Sequence, residues 1–410
     1  MEKINILACT IFNYPHIGGS SSHLSALKEE LEKDEFVNFE ILSWNSENYI
    51  YSLLKKYQIS VLHRILNRDL RYVTNKGIFY LSQKIKYKLN KTRYNILNPQ
   101  SIFSMNSILL INESFFVPKI LTIHGYATYE AESAGLIRTE RERDFYMQLE
   151  YRAYKNADLI LTVDSNIKEY IAAIDKGFRD KTVVWPNSVK NIFFISQTMR
   201  SQFKVQTRER LGINEDAFVI LCPRRLVPKN GVLIPLKSLI SLPRVENIFL
   251  IYAGDGMLRK NIEKMIPDWL KKRIIILGNI DHNEMPRIYS IADVVVIPSV
   301  LDKGVEEATS ISALEAAAVG IPIIASDIGG LKEVFKSYDN AILVEPNNVQ
   351  ALANAIIEIK NDSNLRSSLI LKARKLVEEK YLPSIWASNY IRYAKGVMEK
   401  INATKKKLLK

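Results

Sequence analysis

Cysteine is nearly missing from this chain, which has two in 410 residues, Cys9 and Cys222. So few thiols exclude a disulfide-stapled secreted module. Each closes a short apolar run, Ile4-Asn-Ile-Leu-Ala-Cys9 and Phe218-Val-Ile-Leu-Cys222, so both read as buried thiols in a reducing compartment rather than as nucleophiles. There is no Asp-x-Asp pair and the five histidines are scattered, which leaves neither a carboxylate metal clamp nor a zinc spacing. No apolar run approaches the roughly 18 residues needed to cross a bilayer. The expectation is a cytoplasmic protein that needs neither metal nor cofactor.

Acid is scarce in one region. The net charge of +13 already calls for an anionic partner, and between Ile50 and Asn95 eleven Lys or Arg residues stand against Asp69 alone. Within that segment Ile78, Leu81, Ile85 and Leu89 recur at helical spacing, with Lys84, Lys86, Lys88 and Lys91 around the turn. Such a basic amphipathic helix could rest on anionic lipid, giving peripheral contact at the cytoplasmic face of a membrane. The plainer alternative is a surface helix with its apolar stripe on the core. No nucleic-acid-binding motif accompanies the charge, so a nucleic-acid partner is not expected.

What is present is a repeated order of apolar strand, polar or Gly-rich turn, and helix. Ile4 to Cys9 is followed by Gly18-Gly19 and then by Leu24, Leu27 and Leu31 at helical spacing. Val117 to Ile123 ends at His124-Gly125, and Ala157 to Val163 ends at Asp164-Ser165. A second series runs through Ala217–Cys222, Asn247–Gly254, Arg273–Gly278, Asp293–Pro298 and Pro322–Ala325. Continuous apolar runs of this kind belong to parallel sheets covered on both faces, and their carboxyl ends are where such sheets bind ligands. At 47% hydrophobic and 25% charged residues the chain reads as ordered and globular, with room for two cores. The domains are expected at 1–191 and 192–383, with a helix carrying Trp386, Tyr390 and Tyr393 from Ser384 to Lys400 and a frayed basic tail from Lys405 to Lys410.

The most informative stretch is Glu307-Ala-Thr-Ser-Ile-Ser-Ala-Leu-Glu315, running on to Asp327-Ile-Gly-Gly330. Two carboxylates eight positions apart on one ideal helix would lie about 80° apart around it and about 12 Å apart along it. Thr309, Ser310 and Ile311 would then offer backbone N–H groups and the positive helix end to a phosphate. The run from Ile297-Pro-Ser299 to Gly330 resembles the donor-binding segment of retaining glycosyltransferases of family 4. Arg224-Arg225-Leu-Val-Pro-Lys229-Asn-Gly231, after the first strand of the second series, resembles that family's diphosphate-holding Arg and Lys. Two departures stand out: arginine is doubled, and lysine comes one position early, with Asn230 in its usual place.

The resemblance implies the GT-B fold, two doubly wound Rossmann-like α/β domains facing across a cleft, with the C-terminal helix crossing back to the first domain. It implies acceptor binding by the first domain and nucleotide-sugar binding by the second. Arg225 and Lys229 would hold the diphosphate, assisted by Arg224. Glu307 would contact hydroxyls of the donor sugar and Glu315 the ribose, with Thr309, Ser310 and Ile311 at the helix start. Thr309-Ser310 replaces the commoner Phe-Gly, which leaves donor identity open. Gly18 and Gly19 would lie against the phosphates and His124 near the reacting sugar. The implied reaction is transfer of a hexose, with retention, from a UDP- or GDP-sugar to a hydroxyl of a saccharide or lipid-linked acceptor in polysaccharide or glycolipid assembly. A small-molecule acceptor such as an aminocyclitol, and a nonhydrolysing sugar-nucleotide epimerase, are the alternatives.

Overall fold

The computed structural model describes residues 3–15, 19–45, 69–111, 117–242, 247–302 and 306–408, without the side chains of 19, 20 and 405–408. Gly18 and the basic residues Lys55, Lys56, Arg64 and Arg68 lie outside the described residues. The chain folds as two compact units, Met1–Pro186 joined by Pro383–Lys410, and Asn187–Leu382.

In the second unit six strands form one parallel sheet in the order β12-β11-β10-β7-β8-β9. They are β7 (Phe218–Cys222), β8 (Ile248–Ala253), β9 (Ile274–Gly278), β10 (Val294–Ile297), β11 (Ile323–Ser326) and β12 (Ile342–Val344). Side chains alternate across a strand, so β7 sends Val219 and Leu221 into one core and Phe218, Ile220 and Cys222 into the other. Helices cover both faces, and no strand face is left polar, which accounts for the unbroken apolar runs. From β7 the chain winds outward to β8 and β9, then returns to lay β10, β11 and β12 on the other side. The reversal between β7 and β10 is the topological switch point, where neighbouring strand ends diverge and leave a crevice.

The first unit is built alike. Strands β1 (Ile4–Cys9), β2 (Val37–Leu42) and β3 (Ile96–Pro99) pair in the parallel order β2-β1-β3, and β4 (Ile120–Ile123), β5 (Leu159–Thr162) and β6 (Thr182–Val184) pair in the order β4-β5-β6. The two sets are linked through Leu97, whose N–H donates to Pro118 O at 2.8 Å.

The last helix, Pro383–Leu408, returns to this unit, where Trp386, Tyr390, Ala394 and Val397 pack with Leu24, Leu27 and Phe39. It runs past Lys400 to Leu408, so the expectation of a frayed tail from Lys405 is corrected for Lys405 to Leu408, which are helical. Its start is fixed by Trp185, which stacks on Trp386 at 4.4 Å and 5° and donates its indole N–H to Trp386 O at 3.2 Å.

Helix Leu70–Lys91 carries the expected stripe, but Leu81 and Ile85 face inward against Leu7, Cys9 and Leu97, and Ile78 is buried as well. The expectation that this stripe could rest on lipid is therefore corrected, because the unit's own core already covers it. Among the described residues no helix is long and apolar enough to cross a membrane.

Both cysteines are fully buried strand residues. Burial pushes the Cys222 thiol up to about 12 and Cys9 further still. Neither thiol should react with a disulfide reagent in the native protein near neutral pH, and both should react after denaturation, as a spectrophotometric thiol titration would show.

Candidate active site

Strand β7 ends at Cys222 and Pro223, and the chain then turns sharply. Arg224 points into the switch-point crevice. Its guanidinium donates to Asn230 Oδ1 at 2.7 Å, Ser299 Oγ at 3.2 Å, Ser310 Oγ at 3.1 Å and Glu307 Oε2 at 2.7 Å. The segment after β7 and the segment between β10 and helix Ile311–Val319 are thereby tied to one side chain. Ser299 Oγ also donates to Glu307 at 3.3 Å. The Arg224–Glu307 pair retains only 10% and 11% side-chain exposure, so it sits mostly out of water, where charge-assisted hydrogen bonds are strong.

Backbone close approach makes the crevice possible. At Gly231 φ is +61°, and a Cβ there would stand 1.8 Å from Pro298 O. At Gly329 φ is +51°, a Cβ would stand 2.1 Å from Glu307 O, and the next residue, Gly330, donates its N–H to that oxygen at 2.8 Å. Only glycine fits both positions.

That last bond also corrects the placement of Glu307. The helix begins at Ile311 with Ser310 as its N-cap, so Glu307 stands in a non-helical loop held by Gly330, and the 80° and 12 Å relation to Glu315 does not apply. Thr309 and Ser310 are buried and Ile311 is partly exposed at the start of helix Ile311–Val319. The first N–H groups of any helix lack intrahelical partners, so this end carries positive potential beside Glu307.

The doubled arginine resolves into two situations. Arg224 is engaged as above, whereas Arg225 is exposed. Among the described residues neither the Arg225 guanidinium nor the Lys229 ammonium has an acid within ion-pair distance. Asn230, in the usual lysine position, is buried; it accepts from Arg224 and donates to Arg225 O at 2.8 Å.

Glu315 lies within the helix, 4% exposed, and both its oxygens are occupied. His282 Nε2 is 2.7 Å from one, and the Tyr289 hydroxyl donates to the other at 2.9 Å. His282, Tyr289 and Ser299 are site residues for which sequence reasoning assigned no role. Only Ser299 carried a signal, its place at the end of an apolar strand.

His124 and Gly19 belong to the first unit. Gly19 opens helix Gly19–Leu31. His124 follows β4, its Nε2 lies 3.0 Å from Gln100 Oε1, and its ring meets His23 edge-on at 4.6 Å. Burial, with the neighbouring His23 adding to it, holds its pKa well below the ordinary histidine value, so it works as a neutral imidazole. His23 also meets Trp185 at 5.1 Å and Trp386 at 4.7 Å, so this ring is fixed against the start of the last helix. Among the described residues no three His, Cys, Asp or Glu side chains gather as a metal centre.

Comparison with known proteins agrees with this geometry. Residues 203–376 match the family model described as Glycosyl transferases group 1. An uncharacterized glycosyltransferase of Methanocaldococcus jannaschii is 29% identical over 266 residues, 65% of this chain and 66% of that protein. The UDP-Gal:alpha-D-GlcNAc-diphosphoundecaprenol alpha-1,3-galactosyltransferase of Escherichia coli is 28% identical over 290 residues, 68% of this chain and 70% of that protein. Among solved structures, sucrose-phosphate synthase from Thermosynechococcus elongatus superposes with a TM-score of 0.76 at 19% identity, covering 97% of this chain and 100% of that one. Residues 203–376 are thus of the group 1 glycosyltransferase kind, and the fold is of the GT-B kind.

Two outcomes test the site as described. Arg224→Met should lower stability by about 2 kcal/mol in a denaturant titration, because it leaves Glu307 mostly buried without its cation. For His124 the folded pKa lies below the unfolded value of about 6.5, so the unfolded chain binds the extra proton and stability falls as pH drops below about 6.5. His124→Gln should remove that part of the acid sensitivity. An unchanged difference in melting temperature between about pH 7 and about pH 5 would count against it.

Proposed function

We propose that this chain transfers a hexose from a UDP- or GDP-sugar to a hydroxyl acceptor, with retention at the anomeric carbon, in polysaccharide or glycolipid assembly. One observation carries the reading. Arg225 and Lys229, both without an acid partner among the described residues, stand with Glu307 and a helix start at the switch point of the second unit. Transfer breaks the bond between the anomeric carbon and a phosphate oxygen, whose electron pair leaves with the nucleoside diphosphate. Charge grows on that phosphate, and cations and N–H groups already aimed there stabilise it.

In this reading Arg225, Lys229 and the N–H groups at Thr309, Ser310 and Ile311 receive the diphosphate. Arg224 holds Glu307 so that its remaining lone pairs accept from sugar hydroxyls. Glu315 keeps acceptor capacity for a ribose, since a carboxylate offers about four lone-pair sites and two are in use. Neither glutamate is free to act as a nucleophile. The acceptor oxygen bonds the anomeric carbon on the face the phosphate leaves, and its proton passes to a departing phosphate oxygen. His124, as a neutral imidazole of the first unit, serves as a hydrogen-bonding group for the sugar, and the acceptor binds to that unit. Side chains and the helix start supply all the positive charge, with no metal or cofactor called for. The similarity to an enzyme named for UDP-galactose and a diphosphoundecaprenol acceptor supports the nucleotide-sugar donor and a lipid-linked acceptor.

UDP or GDP should raise the melting temperature, since a ligand of the native state alone stabilises it. Arg225→Ala and Lys229→Ala should weaken the diphosphates more than the nucleosides, and equal losses on both would remove the assignment. Glu307→Gln should lower kcat/KM for transfer about 10- to 100-fold, the worth of a charged hydrogen bond to the sugar. Undiminished transfer to a free cyclitol without lipid would redirect the acceptor to a small molecule, and turnover of the donor without any acceptor would point to an epimerase.

A further inference from the structure

Helix Leu70–Lys91 has a second face, opposite the stripe that the core covers. Leu70, Thr74, Gly77, Ile78, Leu81, Ser82 and Ile85 are its buried residues. At 100° per residue Tyr72, Phe79, Gln83 and Asn90 fall on the other side, with Lys76, Lys86, Tyr87 and Lys91 flanking them. Three of these are large rings left in water: Phe79 is 59% exposed, Tyr87 49% and Tyr72 40%. Lys76 lies over the Tyr72 ring at 4.7 Å and Lys91 over the Tyr87 ring at 4.3 Å.

The cations on this face are not spent on acids. Asp69 pairs with Arg71, and Glu40 pairs with Lys88. Lys84 donates to Ser43 O and Trp44 O. Among the described residues Lys76, Lys86, Lys91 and Arg93 have no acid within ion-pair distance, and from Leu70 to Lys91 the helix contains no acid at all.

We propose that this outward face docks the first unit on an anionic phospholipid surface, with Phe79 and the rings of Tyr72 and Tyr87 entering the headgroup region and Lys76, Lys86, Lys91 and Arg93 meeting the lipid phosphates. Charge complementarity selects the occupant. A row of unneutralised cations repels a cationic surface and gains little from a neutral one, and aromatic rings interleaved with lysine are favoured where an anionic headgroup layer lies over hydrocarbon. The packed stripe holds the helix flat along the unit, so its roughly 30 Å length is offered at once. The surface is the reverse of the one the sequence suggested. It agrees with the proposed lipid-linked acceptor but does not rest on it, because docking needs neither donor nor acceptor.

The test is co-sedimentation of the full chain with phosphatidylcholine vesicles, with and without phosphatidylglycerol. Binding should require phosphatidylglycerol and weaken with salt. Each lysine is worth about fivefold near such a surface, so K76E/K86E/K91E should lower the partition coefficient at least about a hundredfold, and Phe79→Ser should lower it at unchanged charge. K271E/K372E/K375E, the same charge change on the second unit, should leave binding near the wild-type value. Circular dichroism and UDP-induced stabilisation verify the fold of every variant. Equal loss in the control triple would assign the binding to net charge and overturn the proposal. So would binding that survives the helix variants, or a tighter, equally helix-dependent affinity for single-stranded DNA. Transfer to a soluble acceptor alone, with vesicle binding intact, would unseat the lipid-linked acceptor and leave the docking face standing.

Discussion

Arg224 is the constraint around which the second unit's site is arranged. A guanidinium presents five donors in a fixed plane, and here that plane reaches the side chains of Asn230, Ser299, Glu307 and Ser310. Asn230 follows β7 and the other three lie between β10 and helix Ile311–Val319, so these two segments cannot drift apart without breaking bonds in a mostly dehydrated space. The desolvation of one ion pair is offset in part by the bonds that Arg224 and Ser299 donate to Glu307 Oε2, while the Arg224 Nε–H is buried without a partner. The same commitment explains the chemistry proposed nearby: with Arg224 bound to Glu307, the neighbouring cations Arg225 and Lys229 are left for an incoming anion.

Glycine supplies what hydrogen bonds cannot. The loop after β7 and the turn after β11 approach the backbones of Pro298, at a strand end, and Glu307, in the loop beyond it, so closely that any Cβ would overlap a carbonyl oxygen. The site is therefore set by backbone contact first and by side chains second. The first unit solves a parallel problem with aromatic rings. His23 touches His124 on one side and the stacked Trp185 and Trp386 on the other, so the strand-end histidine leans on the start of the last helix. Trp185 and Trp386, about two hundred positions apart in sequence, thus back the ring that meets this partly buried, uncharged imidazole.

Much of the fold was legible beforehand. Apolar runs such as Phe218–Cys222 and Val294–Ile297 are strands because both faces of a doubly wound sheet are covered, and a run of that length with a polar end has few other uses. The aromatic residues Trp386 and Tyr390 marked the buried side of the last helix in the same way. The site was legible only as a set of residue types. Arg224 and Arg225 are indistinguishable in sequence, yet one points into the crevice and the other into water. Glu307 reads as helical by spacing, but an N–H from Gly330, more than twenty residues on, holds it in a loop. His282 and Tyr289 gave no signal, since their role depends on a carboxylate about thirty residues away.

Local pattern by itself determined that there would be two parallel-sheet units, where their strands would end, and that cations and carboxylates would gather after the strands of the second. Those features follow from periodicity and turn chemistry, which act over a few residues. Tertiary structure decided which arginine is tied down, which face of helix Leu70–Lys91 is dry, and which imidazole is held neutral. Each of these is settled by burial and by partners distant in the chain, and a side chain's exposure to water exists only once the rest of the molecule has packed around it.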